Sequence, residues 1–174
     1  MKATLEAINQ MQADGVIGKY AIGGAVGATF YLAPAATVDV DIFVALPTAS
    51  GTSLISLAPI YDYLKARGAT ELDEYIVVGD WPVQFLPLAD DLGKEAVDQA
   101  VTVTVEGVDT RVMTAEHLAA IALRTGRPKD HSRILQFVEQ QAVDRARLQT
   151  IIERHGLALR WAEFERRYLG GTRG

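Results

Sequence analysis

The chain has 174 residues, 49% of them hydrophobic, with a net charge of −5 and no cysteine. That length suits one domain, or one core with an extension, and the apolar share is enough for a packed interior. The acidic balance argues against tight nonspecific binding of nucleic acid by the whole surface, and the lack of cysteine removes disulfides and thiolate metal sites.

No uncharged apolar run of about 18 residues predicts a membrane span. The first residues, MKATLEAINQMQADG, contain no apolar stretch of the secretory kind. A cytoplasmic protein without membrane contact is expected. The histidines (His117, His131, His155) are scattered, against a histidine-based zinc site.

In chain order, LEAINQMQADG predicts an amphipathic helix with Leu5, Ile8 and Met11 on one face, stopped at Gly15. KYAIGG predicts a short strand ending in two glycines, and AVGATFYLAP a compact helix ended by Pro34. TVDVDIFVAL predicts a strand. SLISLAPIYDYLKARG predicts a helix with Pro59 inside it, closed by Gly68. ELDEYIVVGDWPVQFLPL predicts two strands joined at Gly79 and Asp80, and DLGKEAVDQAV a helix. VTVTVEGVDTRVM predicts two strands turning near Gly107.

From Thr114, a candidate N-cap, the pattern is helical to the frayed-looking GGTRG terminus. The expected fold class is therefore α/β (α+β): a mixed sheet with flanking helices over residues 1–113, and a C-terminal helical extension over 114–174. Lys and Arg crowd from Arg124 onward. Two readings stand for that bias, a phosphate-facing surface and ordinary solvated helix faces.

VDVDIFV, residues 38–44, carries two acids in an apolar strand. Alternate strand side chains share a face, so Val38, Val40 and Ile42 point one way and Asp39, Asp41 and Phe43 the other. Two such aspartate Cα atoms lie roughly 6.5–7 Å apart. Unscreened, the two carboxylates repel and resist ionisation. A hard cation such as Mg²⁺ (or Mn²⁺) removes that cost and favours carboxylate oxygen together with phosphate. The plain alternative is a strand end with both acids in water. Gly23 and Gly24, just before a helix, let a phosphate approach bare N–H groups; the alternative there is a tight turn.

A strand ending in Gly-Gly (AIGG, 21–24), a helix, and a strand bearing D-x-D (TVDVDIFV, 37–44) together resemble the nucleotidyltransferase (polymerase-β-like) fold. The later stretch AEHLAAIALRTGRPKDHSRI (115–134) resembles the helical half of the AbiEii-type toxin nucleotidyltransferases, with Glu116, Leu118, Arg127, Lys129 and Asp130 in place.

The resemblance implies transfer of a nucleoside monophosphate from an NTP to an RNA, protein or small-molecule acceptor, with a toxin or phage-defence role and a cognate antitoxin as partner. It implies Gly23 and Gly24 at the triphosphate, Asp39 and Asp41 as catalytic Mg²⁺ ligands, and Arg127 and Lys129 near phosphates. Asp130 would anchor that pair, and Thr37 would fix the strand end beside the nucleotide.

The sequence departs from the pattern at three positions. The expected third carboxylate, on WPVQFLP, is Gln84, which has no charge and cannot act as a base. A helical lysine is replaced by Ala122, and an arginine two residues before Thr37 by Ala35. A nucleotide- or partner-binding module on the same fold, without turnover, is thus the second reading. A glycosyltransferase D-x-D comes last, because such enzymes need a larger nucleotide domain.

Bland readings accompany the other candidates. Glu116 suits a first-turn acid. RTGRPKD suits a loop with Pro128 opening the next helix. Leu157, Trp161, Phe164 and Tyr168 suit a packing stripe, and His131 and His155 suit the surface.

Overall fold

A computed structural model describes residues 1–34, 37, 39–47 and 55–170. Expectations for Ala35, Val38, Ser53, Leu54 and 171–174 lie outside the described residues. The chain divides into two compact units. One comprises Met1–Gly27 and Ala35–Met113; the other comprises Ala28–Pro34 and Thr114–Gly174.

The first unit is built on a seven-stranded mixed sheet. Its strands are β1 (Tyr20–Ile22), β2 (Val40–Val44), β3 (Thr70–Leu72), β4 (Tyr75–Val78), β5 (Trp81–Pro87), β6 (Val101–Val105) and β7 (Val108–Val112), in the spatial order β3-β4-β5-β2-β1-β7-β6. β2 runs parallel to β5, and β1 parallel to β7; the other neighbours are antiparallel. The mixed α/β architecture is the one expected.

Period-2 patterning decides which face is packed. Val40, Ile42 and Val44 are buried, while Asp41 and Phe43 between them are only partly covered. Rows such as Val40–Val83 and Ile42–Phe85 continue the apolar face across the sheet. Helix α1 (Lys2–Ala13) buries Leu5, Ile8 and Met11 completely, which stabilises by about 1.5–3 kcal/mol per side chain before entropy is counted. Thr4 donates its hydroxyl to the Val78 carbonyl at 2.8 Å, and the buried Tyr20 hydroxyl meets Asn9 and Thr110 at 2.5 and 3.0 Å. These bonds tie α1 to strands β4, β1 and β7.

Several local expectations are corrected. Helix α2 covers only Gly24–Ala28; Tyr31 and Leu32 both donate to the Ala28 carbonyl in a turn instead of extending it. Helix α3 (Ala58–Lys65) contains Pro59 but starts only one residue before it, so the proline stands in the first turn, where its missing N–H is harmless. The ELDEY stretch adds β3, paired Leu72↔Tyr75 with β4. Its alternation was not visible because every residue of this edge strand is exposed. Helix α4 (Asp91–Asp98) is capped by Asp90, whose side chain accepts from the Gly93 N–H.

The second unit contains α5 (Ala115–Thr125), α6 (Pro128–Glu139), α7 (Arg145–Arg154) and α8 (Ala158–Phe164), followed by a wide π-type turn over Glu165–Leu169. Thr114 caps α5, accepting from the His117 N–H, and Gly126 closes it at φ +71°. The stripe Leu157, Trp161, Phe164 is buried, as a packing stripe requires.

Candidate active site

The first unit gathers Gly23, Gly24, Asp41 and Gln84. The Gly23 N–H donates to the Asp41 carbonyl at 2.9 Å, continuing the β1–β2 ladder past Ile22↔Ile42. That N–H is committed to the sheet. What Gly23 contributes is a missing side chain: a Cβ there would stand 2.5 Å from Cε2 and 2.7 Å from Cδ2 of Phe43.

Gly24 opens α2 at φ +56°, a conformation suited to glycine. A Cβ on Gly24 would overlap Asp41 Oδ2 and stand 2.7 Å from its Cγ. The Asp41 carboxylate therefore rests against the bare α-carbon that begins the helix. The acid of the strand and the glycine of the turn form one structural element.

Asp41 pairs with Gln84 in the parallel β2–β5 register. Paired residues of neighbouring strands project to the same face, about 4.8 Å apart along the sheet. Gln84, half-buried, is thus the side chain beside Asp41 on β5. Asp39 stands just before β2, with the Thr37 hydroxyl donating to its carbonyl at 3.2 Å. That bond orders the entry into the strand.

Tyr75 joins the group, unforeseen from sequence. Extending the Ile76↔Val83 pairing by one residue sets it opposite Gln84, so Tyr75, Gln84 and Asp41 run in one row across three strands. The Asp39 charge foremost, then burial, then the charge and hydrogen bond of Glu74, and last the charge of Asp41, hold the Tyr75 phenol above its ordinary value. Its signal in the sequence was only a tyrosine at the start of an apolar run, which many strands share. Among the described residues, no group of three or more His, Asp or Glu side chains is arranged as a metal site.

The second unit holds the other candidates. Arg127 precedes Pro128 as the N-cap of α6, and Lys129 and Asp130 lie in its first turn. Asp130, only 2% exposed, accepts from Arg127 Nε at 2.7 Å, from Nη2 at 3.3 Å and from the Arg127 N–H at 3.2 Å, with Arg133 at 3.9 Å. Asp130 thus anchors Arg127 and caps the helix at once. Lys129 is exposed.

Glu116 is 7% exposed and accepts from the Asp144 N–H at 2.9 Å, so it fastens the start of α7 besides sitting in the first turn of α5. Ala122 is buried in α5. His131 is half-buried, not a bare surface residue, with its ring 5.8 Å from Phe164 and 5.4 Å from Tyr168.

No protein-family model and no curated protein sequence matches the chain. Solved structures do. The antibiotic-resistance factor ANT(2'')-Ia in solution superposes with a TM-score of 0.53 at 15% identity, over 97% of each chain. An antigenic nucleotidyltransferase-like protein from Paracoccidioides brasiliensis superposes with a TM-score of 0.54 at 14% identity, over 88% of this chain and 84% of that one. The chain shares its fold with these two proteins, the second of them described as nucleotidyltransferase-like. No helix among the described residues is long and apolar enough to cross a membrane.

Proposed function

We propose that this chain is a Mg²⁺-dependent nucleotidyltransferase. The observation that carries the reading is the Asp41 carboxylate seated on Gly24 at the start of α2. It joins the acid that would hold a cation to the backbone that would meet phosphate. Asp39 and Asp41 offer hard carboxylate oxygens, and Gln84 a neutral amide oxygen beside them, a donor set that suits Mg²⁺. A bound Mg²⁺ supplies charge neutralisation at the phosphates.

In the reaction, an acceptor hydroxyl oxygen bonds to the α-phosphorus as the α–β phosphoanhydride breaks, pyrophosphate leaves and the hydroxyl proton passes to solvent. The chain's own part is alignment. Gly24 keeps the approach open, and Thr37 orders the backbone of Asp39; Arg127 and Lys129 are proposed as phosphate-binding cations on the strength of the sequence resemblance alone. The acceptor is an RNA, a protein or a small molecule. The RTGRPKD segment favours an AbiEii-like toxin or phage-defence role with an antitoxin partner. Incubation with each labelled NTP, Mg²⁺ and cell lysate tests the reading. Label transfer that survives Asp39→Ala with Asp41→Ala rules it out.

A second reading has its own observation: Gln84 stands beside Asp41 where a carboxylate would complete the acidic set. A nucleotide-binding module without turnover then results, since glutamine neither carries charge nor accepts a proton at neutral pH. Calorimetry showing Mg²⁺-dependent NTP binding, with no labelled product from any lysate, selects this reading.

A further inference from the structure

The helical unit contains a half-open cavity of about 370 Å³ that the proposed reaction does not use. It lies entirely within Thr114–Gly174. One wall is aromatic: His131, Phe164 and Tyr168 form a cluster with ring centroids 5.0–5.8 Å apart. The rim carries two guanidinium groups, Arg160 and Arg167, and one carboxylate, Glu163. Arg160 is held in place by donating to the Arg124 carbonyl at 2.8 Å, and Arg167 lies over the Tyr168 ring at 5.2 Å.

The backbone beneath is unusual. After Phe164 the helix widens into the π-type turn Glu165–Leu169, which carries both Arg167 and Tyr168 to the cavity. Such turns recur at functional sites because they cost regular hydrogen bonding and persist where side chains must be re-aimed.

We propose that this cavity binds a phosphorylated small molecule bearing a planar ring, of the nucleoside monophosphate class. The volume falls within the roughly 300–1,000 Å³ of small-molecule sites. A phosphate dianion matches two guanidiniums, which fork onto its oxygens. A flat base meets the half-buried Tyr168 ring by stacking, and Glu163 accepts from ribose hydroxyls or an exocyclic amine. The site is independent of the Asp39–Asp41 reading and needs no metal.

The test is an NMR titration of the intact protein in EDTA, following the His131 ring signals, assigned with His131→Gln, against those of His155. AMP is compared with adenosine and with inorganic phosphate. The expected result is a saturable shift of His131 with AMP, at lower concentration than with either fragment, and unmoved His155. Arg167→Gln, on an exposed side chain that leaves the fold intact by circular dichroism, weakens AMP by about tenfold. An unmoved His131 at millimolar AMP overturns the proposal. So does AMP no better than phosphate, or binding that Arg167→Gln leaves unchanged.

Discussion

The carboxylate of Asp41 rests on the α-carbon of Gly24, in the space a side chain at position 24 would fill. Strand β2 and the start of α2 are thereby interlocked, and each constrains what the other position accepts.

Gly24→Ala adds two costs, the strain of φ +56° and the overlap with Asp41. Gly107, in the β6–β7 turn at φ +80°, would meet nothing within 4 Å and bears the backbone cost alone. Gly107→Ala is expected to cost about 1 kcal/mol, and Gly24→Ala a further 1–3 kcal/mol or so, both read by urea denaturation. In an Asp41→Gly background the extra cost of Gly24→Ala should shrink, which a double-mutant cycle measures.

Gln84→Asp places a third acid beside Asp41 in the β2–β5 register. Without a metal, like charges on paired strand positions should lower stability by about 0.2–1 kcal/mol. Added Mg²⁺ should restore it, raising the melting temperature of the variant more than that of the parent protein. Equal Mg²⁺ responses would show that positions 84 and 41 do not share an ion.

Tyr75 titrates above its ordinary value chiefly because the Asp39 charge disfavours the phenolate. Asp39→Asn removes that repulsion, so the Tyr75 phenol should ionise at lower pH. Asp41→Asn should act in the same direction but less, its charge being the last of the causes. Ultraviolet absorbance titration, with Tyr75→Phe subtracted to isolate this tyrosine from the other five, gives the midpoint.

Asp130 is the buried partner of Arg127 at the start of α6, whereas Lys129 is exposed. Asp130→Ala should cost about 1–2 kcal/mol through the lost cap and ion pair. Lys129→Ala should stay within about 0.5 kcal/mol. Urea midpoints at unchanged m-value check both. A weaker NTP affinity in Lys129→Ala at full stability would separate a phosphate role from a structural one.

Much of this molecule is local and therefore legible in its sequence. Leu5, Ile8 and Met11 at helical spacing determine which face of α1 is buried, and the alternation of Val40, Ile42 and Val44 does the same for β2. Thr114 marks the start of α5 because a hydroxyl there satisfies an orphan N–H from within its own turn. The D-x-D and Gly-Gly motifs are of this kind too, each set by residues a few positions apart.

Relationships across the sheet are different. β3 exists only because β4 offers it a ladder; its own residues are all exposed and carry no alternating signal. Tyr75 stands in the row of Gln84 and Asp41 because of pairings between strands far apart in the chain. Glu116 became a buried acceptor for Asp144, 28 residues away, where its position alone indicated a first-turn acid. Periodicity and capping act through neighbours along the chain, so most elements and many of their caps follow from local residue types. Register and the contact between Asp41 and Gly24 depend on which strands meet, a choice made by long-range packing that no local pattern encodes.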